Sequence, residues 1–199
     1  VSQIKKTRSP FADVSKYNDE ASPILPQALM KCINDNQQLR KGGHIFIDSG
    51  NCLGWTLHYL EIEPPVQFHN ASPVSPMGFA TAGVIGGKMG DGEKICVAIT
   101  GDGAFMMQGN EISTAAENKI GAIWVVLYDN DLNTINQYMQ EFSADDTPWE
   151  NYYKLGKPDL VKFAEGLGAD AYSVSSPEEM KRIFAEAIES ANTKQKPQV

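Results

Sequence analysis

The residues best placed to do chemistry are Asp102 and the two glycines around it, in Thr100-Gly101-Asp102-Gly103-Ala104. They follow directly on the apolar run Ile95-Cys96-Val97-Ala98-Ile99, the composition of a strand buried in a parallel sheet. The carboxyl end of such a strand is where α/β proteins usually hold ligands. The glycines let the backbone turn sharply and approach a ligand closely. N–H groups leaving such a turn suit a phosphate. The aspartate argues the other way, because a carboxylate about 4 Å from a phosphate, at an effective dielectric near 20, is repelled by about 4 kcal/mol per charge pair. A divalent cation between the two reverses the sign. The turn therefore reads as a metal-bridged diphosphate site that needs a second oxygen ligand downstream. Asn130, 28 positions after Asp102, can supply it, because the next apolar run, Ala122 to Leu127, ends in Tyr128-Asp129-Asn130-Asp131.

The elements that would position these residues alternate along the chain. Ile24, Ala28, Leu29, Cys32 and Ile33 fall on one helical face, with Pro23 and Pro26 in its first turn. His44 to Ile47 is a short strand ending in Asp48-Ser49-Gly50-Asn51, and a helix carrying Trp55, Leu57, Tyr59 and Leu60 follows until Pro64-Pro65. Val66 to His69 reads as a second strand. Met77 to Met89 is a helix of small residues, whose Gly78, Ala82 and Gly86 stand four apart and allow close backbone packing, inside the domain or at a subunit interface. Gln108 to Lys119 is a further helix. Glu141 to Lys157 is a polar functional loop whose Trp149 could cover the site. Leu160 to Leu167 is a helix stopped by Gly168, and Ala169 to Val174 a strand. Ser176 and Glu179 form a capping box around Pro177 at the start of the last helix. This order predicts an α/β fold, a doubly wound parallel sheet with helices on both faces. Asp48, Asp102 and the Asp129/Asn130 pair then emerge on one edge.

Composition narrows the function. A formal charge of −8 argues against nucleic acid or an anionic membrane as partner. The three cysteines, Cys32, Cys52 and Cys96, have neither zinc nor redox spacing and read as reduced packing residues of a cytoplasmic protein. There is no signal peptide and no apolar run of membrane-spanning length. Residues 1–21 are polar and aperiodic, as in a linker from an upstream region absent from this sequence, and 22–199 read as one domain cut near its last strand. Asp48 is expected to be a turn or capping residue, and Trp55 and Trp124 core. Met106 and Met107 are expected to pack, and His44, His58 and His69 to be without ligand or triad partners. A nicotinamide-binding domain is disfavoured, since Asp48 to Gly54 lacks the glycine fingerprint.

The Gly-Asp-Gly turn and its spaced asparagine resemble the thiamine-diphosphate-binding motif of thiamine-dependent enzymes. Three other blocks agree with it: Pro76-Met77-Gly78-Phe79, Glu111-Ile112-Ser113-Thr114-Ala115, and Pro158-Asp159-Leu160-Val161-Lys162-Phe163-Ala164. From about Ser22 onward the chain is similar to the carboxyl-terminal domain of acetolactate synthases, pyruvate oxidases and pyruvate decarboxylases. The resemblance implies thiamine diphosphate and Mg²⁺ as cofactors, with FAD left open for another domain. It implies side-chain oxygens of Asp102 and Asn130 and the carbonyl of Leu132 on the metal, the octahedron being completed by diphosphate oxygens and water. The connection from Leu127 to Asn130 is one residue longer than the family's usual Leu-Asn-Asn, which leaves Asp129 as the alternative ligand. Gly101, Gly103, Ala104, Asn51, Cys52 and Ile135 are implied cofactor contacts. Met77 matches the bulky residue over which the family bends the cofactor, and Ser75 would accept from its amino group.

The implied chemistry is decarboxylation of a 2-keto acid with the cofactor as electron sink. Gln137-Tyr138 stands where acetolactate synthases usually carry Gln-Trp, and Asn136 where pyruvate decarboxylases carry a protonating glutamate. An acetolactate-synthase-like enzyme, decarboxylating and then joining carbons, is therefore the expectation. The alternatives are an oxidase or decarboxylase of the same family, or a non-catalytic cofactor-binding module. The family's activating glutamate lies on a separate amino-terminal domain, usually of a partner subunit, so no catalytic residue is assigned within these 199 residues. They are expected to bind cofactor without turnover, and the whole enzyme to be a homodimer or homotetramer.

Overall fold

The computed structural model describes residues 13–142 and 150–199. The strands β1 (His44–Ile47), β2 (Gln67–Asn70), β3 (Cys96–Gly101) and β4 (Ile123–Leu127) form one parallel sheet in the order β2-β1-β3-β4. Alternation along the strands sorts their side chains to the two faces. Ile45, Ile47, Val97, Ile99 and Ile123 enter one core with α1 (Pro26–Asn34), α2 (Asn51–Tyr59) and α9 (Pro177–Lys194). Phe46, Cys96, Ala98 and Trp124 enter the other, with α3 (Phe79–Gly90), α4 (Asp102–Gln108), α5 (Glu111–Glu117) and α8 (Leu160–Gly166). The expected α/β fold, a parallel sheet with helices on both faces, is thus present. The chain leaves β1 for β2 on one side and returns past β1 to β3 on the other. The crevice between the carboxyl ends of β1 and β3 is therefore the topological switch point.

Beyond β4 the sheet is extended by single bridges rather than by the strand expected over Ala169 to Val174. Gln198 bridges Ile123 on one side and Asp170 on the other, both in parallel. Trp124 N donates to Gln198 O, and Tyr172 N to Val199 O. The residues read as one strand obtain their pairing from this short segment, so only Asp170 is bridged.

Other expectations shift. The helix expected from Gln108 to Lys119 forms as the shorter α5, and α4 precedes it directly off β3. A helix α6 (Asn133–Phe142), with no buried residue, follows the loop after β4, and a short α7 (Glu150–Tyr153) lies in the stretch expected to be a loop. Trp149 lies outside the described residues. Within the segment read as a linker, Val14–Asn18 form a 3-10 turn whose Tyr17 hydroxyl donates to Tyr59 O. The capping box forms one residue out of step: Ser176 Oγ accepts from Glu179 N, while Glu179 Oε2 accepts from Ser175 N. Met106 and Met107 are exposed rather than packed.

His44 and His69 are held in structural contacts. His44 Nδ1 lies 3.0 Å from His69 Nε2, and His44 Nε2 lies 3.3 Å from Asp91 Oδ2. The pairing register puts Phe46 opposite His69, whose ring stacks on it at 4.4 Å. Burial, and then the neighbouring His44, hold the His69 imidazole below its ordinary value.

The packing row on α3 is also displaced by one residue. Gly86 faces open space, whereas a Cβ on Gly87 would stand 2.3 Å from Phe46 Cζ, in a ring already stacked on His69. Two substitutions separate these faces. Gly86→Ala should raise unfolding stability by about 0.5–1 kcal/mol through helix propensity. Gly87→Ala should lower it by about 1–3 kcal/mol through overpacking. Urea titration reads both, and equal effects would contradict this placement of the helix.

Candidate functional site

The site is built where β1 and β3 end side by side. Gly101 is the N-cap of α4, so Asp102 and Gly103 begin a helix directly off the strand, with Asp102 almost fully buried. Its carboxylate is held by backbone. Oδ1 accepts from Gly103 N at 2.7 Å, and Oδ2 accepts from Asn130 N at 2.7 Å and Asp129 N at 3.2 Å. Burial nevertheless holds the Asp102 carboxyl above its ordinary value. The N–H groups of Asn130 and Gly103 pull it down, and the neighbouring Asp129 pushes it further up. A buried carboxylate whose donors do not offset its desolvation is a group that a cation would relieve.

The loop after β4 faces it. Asn130 adopts the left-handed region at φ +61°, which asparagine tolerates better than most residues. Its side-chain Oδ1 is buried without a hydrogen-bond partner, and so is Oδ1 of Asp131. Buried polar atoms are rarely left unpaired, so two such oxygens beside a strained backbone ask for a ligand. Asp129, by contrast, is committed: Oδ1 accepts from Asp131 N and Oδ2 from Asn133 Nδ2. Residues 153–155 brace this loop, Leu132 N donating to Tyr153 O and Leu155 N to Asn130 O.

Around these groups lies an open cleft of about 1180 Å³. Asn51, Cys52, Met77, Gly101 to Ala104, Asp129 to Leu132 and Ile135 line it, so most of the expected site residues meet there. Val125, Val126, Val174 and Phe184 line it as well. Asn51 opens α2, and its amide is tied to Thr134 and Gln137 of α6. Met77 approaches Gly103, where an added Cβ would lie 3.4 Å from Met77 Cε and 2.8 Å from Leu132 Cδ2.

Three of the expected contacts also serve the fold. The Gly103 N–H donates to Asp102 Oδ1. The Leu132 carbonyl accepts from Ile135 N and Asn136 N at the start of α6. Cys52 lines the cleft, and its thiol donates to Asp48 O at 3.3 Å. Ser75, at φ +45°, is not among the lining residues. Sequence reasoning missed Asp131 and the Asn51–Thr134–Gln137 tie. The first had a signal in its place beside Asn130, whereas the second depends on α6.

These features define a class, an α/β protein with an acidic site at its switch point. The family follows from comparison. Residues 48–198 match the family model described as thiamine pyrophosphate enzyme, C-terminal TPP binding domain, and the chain belongs to that family. It is 31% identical over 191 residues to a probable acetolactate synthase large subunit of Methanococcus aeolicus, covering 94% of this chain and 31% of the relative. It is also 31% identical over 199 residues to a probable acetolactate synthase large subunit of Methanocaldococcus jannaschii, with the same coverage. Acetolactate synthase isozyme 3 large subunit of Escherichia coli is 27% identical over 175 residues, covering 87% of this chain and 30% of the relative. The chain thus spans about a third of the length of the curated relatives it matches. It is a TPP-binding domain similar to that part of acetolactate synthase large subunits. Among the described residues no helix is long and apolar enough to cross a membrane.

All three cysteines are buried and free. Burial, with Asp48 adding to it, pushes the Cys52 thiol up to about 12, and burial pushes Cys96 up to about 11. At about pH 8, alkylation of Cys52 by iodoacetamide should therefore run on the order of 10³-fold slower in the folded chain than in urea. Peptide mass spectrometry reads the rate, and fast labelling of folded Cys52 would show that its thiol reaches the cleft.

Proposed function

We propose that this domain holds the diphosphate of thiamine diphosphate through Mg²⁺ and forms part of an acetolactate-synthase-type active site for 2-keto acids. The observation that carries the reading is the pair of unpartnered buried oxygens on Asn130 and Asp131, beside a carboxylate that burial holds above its ordinary value. A small hard cation takes one or two protein carboxylates and completes its shell with phosphate oxygens and water. In this reading Asp102 and Asn130 supply side-chain oxygens, and Asp131 stands next to them as a further oxygen donor. Asp129 remains the alternative to Asn130, at the cost of its bonds to Asp131 N and Asn133. When bound, the thiazolium would supply the electron sink for decarboxylation.

The chain's own residues orient and enclose. Met77 stands against Gly103 and would fix how the cofactor bends across the cleft. Asn51, held by Thr134 and Gln137, forms part of the cleft wall. Asn136 offers no proton, since its amide donates to Asp131 Oδ2 and accepts from Gln140. This favours joining a second 2-keto acid over protonating the intermediate to an aldehyde. A homo-oligomer whose partner supplies the other part of the site is the assembly this reading implies.

Isothermal titration of the chain with thiamine diphosphate tests the core of the proposal. Binding should require Mg²⁺, and Asp102→Ala should weaken it by at least about tenfold, on the order of 1.4 kcal/mol. Binding that is equally strong in EDTA, or unchanged in Asp102→Ala, would overturn the metal bridge.

A further inference from the structure

Asp48 is the most completely engaged polar side chain near the cleft, yet it does not line it. It is fully buried at the end of β1, against the switch point. Its Oδ1 accepts from Gly78 N at 2.7 Å and Ser49 N at 3.0 Å. Its Oδ2 accepts from Thr81 N at 3.3 Å and from the hydroxyls of Thr81 and Thr100, both at 3.2 Å. One carboxylate thus ties the end of β1 to the end of β3 and to the start of α3. Gly78 is the N-cap of α3 and has no side chain to cap with, so orphan N–H groups of the first turn need an outside acceptor. Asp48 takes the N–H of the N-cap and that of the third helical residue. A capping box normally serves the same two groups from within the helix.

From these contacts we infer that Asp48 is a positioning residue for the cofactor cleft: it acts through Met77. Met77 immediately precedes the Gly78 whose N–H Asp48 holds, and a Cβ on Gly78 would stand 2.4 Å from Gln108 Cγ of α4. The turn carrying Met77 is therefore clamped between the carboxylate and α4. On the other side Met77 Cε reaches toward Gly103. Releasing the Gly78 N–H frees the turn, and with it the apolar wall that faces the Gly101-Asp102-Gly103 backbone. Thr100 puts the same carboxylate one residue from Gly101, so both walls of the cleft refer to one acceptor. The inference rests on the cofactor reading above, since the cleft it positions is the proposed thiamine diphosphate site.

Asp48→Asn keeps the volume but puts an amide where donors point. Its Gly78 and Thr81 amides should exchange with deuterium at least about tenfold faster, while those of Val97 to Ile99 stay within about threefold of wild type. Affinity for thiamine diphosphate with Mg²⁺ should fall at least about tenfold, with the requirement for Mg²⁺ kept. Unchanged affinity, or equal acceleration of the β3 amides, would overturn the inference and leave Asp48 a residue of general stability. Should Asp48→Asn fail to fold, Thr81→Val and Thr100→Val remove one donor each and should weaken binding by about threefold or more. No loss in either would be equally fatal. Should the wild-type chain not bind the cofactor at all, the cofactor reading falls instead. The ¹³C-methyl resonance of Met77 then decides: a shift or broadening in Asp48→Asn supports the clamp, and an unmoved resonance removes it.

Discussion

A carboxylate at the carboxyl end of a buried parallel strand loses its water and must find donors or a cation. This chain places two of them on neighbouring strands, and they meet the constraint differently. Asp48 gathers donors from β1, β3 and α3 and becomes a joint of the fold. Asp102 has only backbone N–H groups from its own turn and from the loop after β4, and burial still leaves its carboxyl above the ordinary value. The first is satisfied by the protein. The second is left for something the protein holds. Much of the local architecture follows from that difference, including the left-handed Asn130 that brings its N–H to Asp102.

The parts of this site legible in the sequence are those where local chemistry and global position coincide. Ile95 to Ile99 and Ala122 to Leu127 are continuous apolar runs, so both had to be interior strands, and the polar residues after each had to emerge on one edge. The electrostatic conflict in Gly101-Asp102-Gly103 needed no coordinates. Ser176 was readable as a cap because its acceptor role depends only on residues within four positions of it.

What was not legible depended on rotation, register or helical hydrogen bonding. α3 is so rich in small residues that no hydrophobic asymmetry fixes its phase, and Gly86 and Gly87 exchange roles with a turn of about 100°. His44 and His69 meet only because β1 and β2 are parallel with His44 opposite Gln67. α6 was missed although Ile135, Tyr138 and Phe142 stand at helical spacing, and in the fold that apolar face is exposed rather than buried. That helix in turn starts from the Leu132 carbonyl, which reading the site residue by residue could not show. Asp131 is signalled in the sequence only by its place after Asp129 and Asn130, which compete for the same role.

The double bridge at Gln198 bears on the order in which the chain can fold. β1, β2 and β3 close among themselves within residues 44–101, with short crossovers and partners already synthesised. The margin beyond β4 cannot close that way, because Ile123 and Asp170 both wait for Gln198 to lie between them. During synthesis, the half bearing Asp48 and Asp102 is able to pair before the ribosome has released the segment that secures the far edge. Until then β4 has an open edge, the kind of surface that invites pairing with other chains. Asp48 and Asp102 therefore belong to the early-forming half of the domain, while Asn130 and Asp131 follow the strand whose edge waits to be closed.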